Sequence, residues 1–292
     1  MSSMQTPLHE PVMIEEVLRE LAVEPGGSYI DCTLGEAGHA VAILDACTPG
    51  GRLLGLDADP EACASARTRL DGRGFSVVVN ANFDTLEAVA AEHGFVPAHG
   101  VLFDFGLSSR QLDAEDRGFS FRRPGPLDMR FSGTGEPTAA DLVNGLPEEE
   151  LADLIYQLGE EPRSRRIARG IVDSRPLADA AALAEVVWRS SGYRRGRTHP
   201  ATRTFQALRI AVNDEIERLK RGLEQAMRVL KEGGRLVTIA YHSLEDREIK
   251  RFIASPENNV RAVHKRVIKP SKAEVARNRR SRSAKIRVAE RP

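Results

Sequence analysis

Cysteine is scarce: Cys32, Cys47 and Cys63 are the three thiols among 292 residues, and none stands at C-x-x-C spacing to another. That excludes a disulfide framework and a cysteine-held zinc site, and it fits buried, reduced thiols in a cytoplasmic protein. No run of eighteen apolar residues exists, so no membrane span is expected. The start, Met1-Ser-Ser-Met-Gln-Thr-Pro7, lacks the basic and apolar regions of a secretory signal. Seven histidines include no H-E-x-x-H, and no metal site is expected. Dinucleotide-type G-x-G-x-x-G and a P-loop Lys-Ser/Thr pair are also missing, which argues against a pyrophosphate or triphosphate ligand.

Net charge is absent too, but the zero is a sum of opposites. From Arg261 to Pro292 twelve Lys or Arg face only Glu274 and Glu290, a surplus of ten, so residues 1–260 carry ten negative charges in excess. A basic end on an acidic body suits a polyanionic partner such as nucleic acid. With 41% hydrophobic residues the chain can bury a core of one to two domains.

What is present centres on Tyr29-Ile-Asp-Cys-Thr-Leu-Gly-Glu-Ala-Gly-His39, an apolar run that ends in Asp31, passes Gly35 and Gly38, and opens into a helix-spaced Ala40–Leu44. A strand, tight turn and helix N-terminus is where α/β sheets hold nucleotide-like ligands. Arg52-Leu-Leu-Gly-Leu-Asp57 adds a second strand with a terminal carboxylate, the usual acceptor for ribose hydroxyls. A nucleoside with a small or cationic appendage fits this turn, and S-adenosylmethionine is the candidate.

Around it the chain alternates. A helix is expected over 11–21, helices after the glycine turn and over 60–70, strands at 76–79 and 101–105, and an Ala-rich helix between them ending near His93. This is a parallel sheet covered on both faces, an α/β fold. From about residue 108 to 200 helical spacing replaces strands, at 148–158, 165–172 and 178–188. The expected organisation is residues 1–108 as the first part of the sheet domain, 109–200 as an inserted helical substrate-recognition domain, and 201–292 as the second part with its basic tail. That second part should hold one long helix over 201–230, a strand over 233–241, a helix over 244–253, and closing strands at 259–268 and 284–288.

Asp104 ends the fourth strand, and His242 follows the fifth, both at the ligand-binding edge of such a sheet. An exocyclic amine is a poor nucleophile because its lone pair is delocalised into the ring. An acceptor for its N–H in the transition state, with alignment to the methyl donor, supplies the catalysis. Asp104 can be that acceptor or can contact only the cofactor. His242 can touch the base, with Ser243 and Asp246 expected as a helix cap and its box partner. Tyr193, Arg194, Arg195, Arg197, His199 and Arg203 join an aromatic to a basic cluster, a pattern for phosphate contacts with base stacking.

Longer motifs now carry a resemblance. Gly118–Arg130 (GFSFRRPGPLDMR), His199–Asp214 (HPATRTFQALRIAVND), His242–Arg247 (HSLEDR) and Arg280–Glu290 (RSRSAKIRVAE) are similar to those of the bacterial small-subunit ribosomal RNA cytosine-N4 methyltransferase family, and the likeness runs from His9 to Arg291. It implies a class I (Rossmann-like) S-adenosylmethionine-dependent methyltransferase fold with a helical insertion. The implied donor is S-adenosyl-L-methionine, and the implied target is a cytosine in the decoding centre of ribosomal RNA in the small subunit. By motif, the cofactor would be held by Ala37, Gly38, His39, Asp57, Phe83, Asp104 and Gln111. The family usually has Gly where Ala37 stands and Leu where Phe105 stands. A cytoplasmic monomer or homodimer is expected.

Overall fold

The computed structural model describes residues 11–107, 117–121, 125–133, 135, 137–192 and 199–292. Gln111, Tyr193, Arg194, Arg195 and Arg197 lie outside them. One compact unit takes the chain up to Gly106 and again from Ile216 to Pro292; the other is Leu107–Glu215.

In the first unit α1 (Ile14–Glu20) leads to β1 (Ser28–Asp31), and then α2 (Gly38–Ala46), β2 (Arg52–Asp57), α3 (Pro60–Leu70), β3 (Phe75–Asn80), α4 (Leu86–Glu92) and β4 (Ala98–Asp104) alternate. The second unit holds α5 (Ala139–Gly145), α6 (Glu148–Gly159), α7 (Ser164–Asp173), α8 (Ala180–Ser191) and α9 (Ala201–Val212). The chain returns through α10 (Glu215–Val229), β5 (Leu230–Ala240), α11 (Ser243–Ala254), β6 (Arg261–Ala262), α12 (Lys272–Arg277) and β7 (Lys285–Glu290). The strands form one seven-stranded sheet in the order β3-β2-β1-β4-β5-β7-β6. β1 to β5 are parallel, and β7 runs antiparallel to both neighbours. This is the class I methyltransferase arrangement of a Rossmann-like sheet.

Strand neighbours point to opposite faces, and here both faces are covered, so the strands read as unbroken apolar runs. Tyr29, Leu53, Leu102 and Val237 pack with Ile43 and Leu44 on one side. Ile30, Leu54, Val101, Phe103 and Leu236 pack with Leu219 and Leu223 on the other. All three cysteines are free and buried, as expected. Among the described residues no helix is long and apolar enough to cross a membrane.

Local chemistry sets the helix starts. Asp59 accepts the Glu61 N–H at 3.0 Å and Pro60 fills the first turn of α3. Thr138 and Asp141 make a reciprocal capping box on α5. In the helical unit Gly159 is required by packing: a Cβ there would lie 2.6 Å from the Arg203 carbonyl oxygen, so α6 and α9 meet backbone to backbone. Leu151, Ile155, Ile167, Ile171, Leu183 and Leu208 fill that unit's own core.

Four expectations change. The first helix begins at Ile14, after a left-handed Met13 (φ 56°), and not at Pro11. Val12 and Met13 are instead spent on tertiary hydrogen bonds, the Val12 carbonyl accepting from His39 at 2.8 Å and the Met13 N–H donating to buried Glu274 at 3.1 Å. The long helix over 201–230 is two helices, because Asp214 is left-handed (φ 49°). Asn213 uses its side chain to bind Phe131 N and Met129 O there. The strand over 259–268 shrinks to Arg261–Ala262. Val263 and Ile268 still bond Val288 and Ile286, so the four residues between them bow off an edge that advances only two positions. Last, α11 is capped by His242 with Glu245 as its box partner, one position before the expected Ser243 and Asp246.

Phe103 tests this core. It is fully buried in β4 and stacks on Phe105 at 5.3 Å. Phe103→Ala is expected to cost about 3–5 kcal/mol of unfolding free energy, read from the denaturant midpoint with an unchanged slope.

Candidate active site

β1 runs between β2 and β4, pairing Asp31 with Gly55 and Leu102. Asp57 and Asp104 each lie two residues beyond those partners, so three carboxylates gather where the sheet order reverses between β1 and β4. The turn after β1 is tied to all three. Asp31 accepts the Thr33 N–H at 3.1 Å, the Thr33 hydroxyl accepts the Asp104 N–H at 2.6 Å, and Asp57 accepts the Gly35 N–H at 2.7 Å. Asp57 also accepts the Asp59 N–H at 2.9 Å, which orients its carboxylate against the start of α3.

Three strand-end acids in a desolvated place repel. Burial pushes Asp31 up to about 7; Asp104 and Asp57 push the same way, against His39 and the Thr33 N–H. His39, at the start of α2, is buried. Its Nε2 donates to the Val12 carbonyl at 2.8 Å, which leaves Nδ1 toward Asp104 at 3.7 Å. The Tyr241 hydroxyl also reaches Asp104, and burial followed by that carboxylate holds the phenol well above its ordinary range.

Ala37 caps α2 in the left-handed region (φ 58°), where glycine is easiest, and it is buried. Gly38 was expected to let a ligand approach. Packing also requires glycine there: a Cβ would lie 2.2 Å from Pro11 Cγ, so the segment before α1 lies over the turn. Phe83 opens a short 3₁₀ turn three residues after Asn80, the pairing partner of Asp57. Its ring meets Phe103 and Phe105 edge-on at 5.5 and 5.8 Å.

The structure therefore brings Ala37, Gly38, His39, Asp57 and Asp104 to one strand-edge crevice, with Phe83 beyond β3 on the Asp57 side. His242 stands at the same edge. Its ring serves the cap of α11: Nδ1 accepts the Glu245 N–H at 3.4 Å and Nε2 lies 2.9 Å from the Glu245 carboxylate. Glu245 in turn accepts the Tyr241 N–H at 2.8 Å, which fixes the tyrosine beside Asp104. Sequence reasoning left Asp31, Thr33 and Tyr241 without roles. Asp31 and Tyr241 sit directly at strand ends, and that position was the available signal.

A sulfonium-bearing nucleoside fits these groups. Mutually repelling carboxylates favour a cation near them, and a backbone-anchored Asp57 is built to accept hydroxyl hydrogens.

A family model described as the MraW methylase family matches residues 6–292. A Dehalococcoides mccartyi protein named ribosomal RNA small subunit methyltransferase H is 51% identical over 301 residues, covering 97% of this chain and 86% of that protein. Proteins of the same name from Thermomicrobium roseum and Xanthobacter autotrophicus are each 48% identical, covering 97% of this chain and 93% and 87% of theirs.

The raised Asp31 predicts a pH signature. Between its unfolded pKa near ~3.9 and about 7, the folded chain keeps a proton that the unfolded chain loses, so this group lowers stability as pH rises, and its effect levels off above about 7. Asp31→Asn retains an acceptor for Thr33 and removes the ionisation. Thermal melts should show the variant gaining on the wild type at pH ~8 by up to a few kcal/mol, with no such gain near pH ~4.

Proposed function

The chain belongs to the MraW methylase family, and from that premise we propose that it methylates the exocyclic N4 of a cytosine in the decoding centre of small-subunit ribosomal RNA. At the coarser level it is an S-adenosyl-L-methionine-dependent methyltransferase of ribosomal RNA. The observation that carries the site reading is the convergence of Asp31, Asp57 and Asp104 at the reversal point of the sheet, tied together through the β1–α2 turn.

S-adenosyl-L-methionine supplies a methyl group activated on a sulfonium. Asp57 binds the ribose hydroxyls, the Ala37–Gly38–His39 backbone closes over the nucleoside, and Phe83 offers an aromatic surface on the Asp57 side. Gln111, outside the described residues, completes the proposed set. Asp104, held by the Thr33 hydroxyl through its N–H and by Tyr241 through its carboxylate, accepts a hydrogen of the cytosine amine as nitrogen builds positive charge. His242 has its part through Glu245 and Tyr241, keeping the hydroxyl aimed at Asp104.

The RNA reading draws on the relatives' name and on surface charge. Lys265, Arg266, Lys269, Lys272, Arg279 and Arg282 are exposed and make no ion pair among the described residues. Arg261, Arg277, Lys285 and Arg287, by contrast, are paired within the fold. The free group is the part of the tail available to phosphates.

Mass mapping of ribosomal RNA from cells with and without the gene tests the substrate. One methyl on a decoding-centre cytosine should vanish on deletion and return on complementation; an unchanged map, or a loss from another nucleotide, sinks the assignment. For the chemistry, Asp104→Asn weakens the acceptor at constant size. Turnover at saturating cofactor should fall about 10²–10³-fold while cofactor affinity, by calorimetry, changes far less.

A further inference from the structure

Aromatic residues are 5% of the chain and Trp188 is the single tryptophan. An indole buried in the core would contribute more to stability than any other side chain here. Yet Trp188 is 41% exposed. It rides on α8, whose inward face is completed by Leu183, Ala184 and Val187. Its outward ring lies 5.7 Å from His199 at an interplanar angle of 26°, and His199 lies 4.7 Å from Phe121 at 27°. Phe121 meets the buried Phe205 edge-on at 5.1 Å. His199 is itself fixed, since its Nδ1 accepts the Ala201 N–H at 3.2 Å where α9 begins. Three near-parallel rings thus step outward from the helical core, and the outermost is the widest and is half in water.

The ladder has cationic company. At the end of α8, one turn beyond Trp188, Gly192 leaves room for two guanidiniums: a Cβ there would lie 2.9 Å from Arg166 and 3.5 Å from Arg163. Arg163 is spent on the Ser191 carbonyl, which caps the helix. Arg166 is exposed and makes no hydrogen bond or ion pair among the described residues.

Resting on the ribosomal RNA reading above, we propose that the Trp188–His199–Phe121 ladder is a stacking platform for one unpaired base of the RNA substrate, with Arg166 toward its phosphate. An extended ring face with the Arg166 guanidinium nearby matches a nucleotide, a flat π-surface tethered to an anion, and stacking tolerates any base identity. A protein partner would instead call for a contiguous apolar patch, and the surface around Trp188 is charged: Glu185, Arg189 and Arg166 are exposed.

The lone tryptophan makes the test direct, because all indole emission reports on position 188. Titrating the full chain with single-stranded oligouridylate should quench that emission. An abasic ribose-phosphate oligomer of equal length, which has the charge without the rings, should leave it unchanged. With small ribosomal subunits as substrate, Trp188→Ala should raise KM between about fivefold and a hundredfold, with kcat and cofactor affinity unchanged, and Trp188→Phe should recover most of the loss. A structural role would instead lower the melting temperature and move kcat with KM. Equal quenching by the abasic oligomer, or an unaltered KM in Trp188→Ala, overturns the platform while leaving the methyltransferase reading in place. If wild-type protein failed to methylate subunits, that reading would fall, and the two fluorescence titrations would still decide the platform.

Discussion

The hydrogen bond from the Asp104 N–H to the Thr33 hydroxyl, 2.6 Å long, joins β1 to β4 at the point where the sheet changes direction. Everything at the crevice depends on that closure. With Thr33 held, Asp31 is sealed beneath the turn, Gly35 meets Asp57, and Asp104 is presented beside Tyr241 and His39. Gathering acids this way is unfavourable in isolation, since each desolvated charge raises the cost of the next. The fold meets that cost by letting Asp31 keep its proton to about neutral pH, by anchoring Asp57 with two backbone N–H groups, and by setting the Tyr241 hydroxyl against Asp104. The same arrangement makes the crevice attractive to a cationic nucleoside.

The two ends of the described chain brace that closure. Pro11 lies over Gly38, the Val12 carbonyl takes the His39 Nε2–H, and the Met13 N–H is held by Glu274 from α12. A tail that composition presents as a polyanion-binding arm is therefore also part of the site's scaffold. Its cations divide accordingly. Lys285 and Arg287 clamp Asp246 at 3.1 and 2.7 Å, fastening β7 to α11. The charges on the bowed segment and around α12 stay on the surface. One stretch of sequence thus holds a sheet edge and offers phosphate contacts without conflict, because antiparallel β7 hands its inner residues to the core and its flanks to water.

The helical unit follows a different economy. Its core is self-contained, the approach of α6 to α9 needs Gly159, and the chain leaves it at Asn213 and a left-handed Asp214, with no proline or glycine at that exit. With its interior filled mainly by aliphatic side chains together with Phe119 and Phe205, it leaves its largest ring outside, in a ladder that begins at buried Phe205.

Much of the sheet was legible in the sequence. Short unbroken apolar runs and period-3.6 patterns locate the strands and helices of the βα repeat, because a strand here buries both faces and a helix one, and burial acts residue by residue along the chain. Strand-end Asp57 and Asp104, and the turn with Ala37, Gly38 and His39, were visible for the same reason: a carboxylate or a glycine pair closing an apolar run is a local signal. Tertiary structure alone decided that Asp31 is the buried, repelled member of the set, that Gly38 serves Pro11, that Tyr241 and not His242 reaches Asp104, and that the helix over 201–230 breaks at Asp214. It also decided which tail cations are spent inside the fold. Each of these rests on a partner tens to hundreds of residues away, such as Met13 with Glu274. Desolvation and long-range pairing depend on what the folded chain brings near, and no local pattern encodes them.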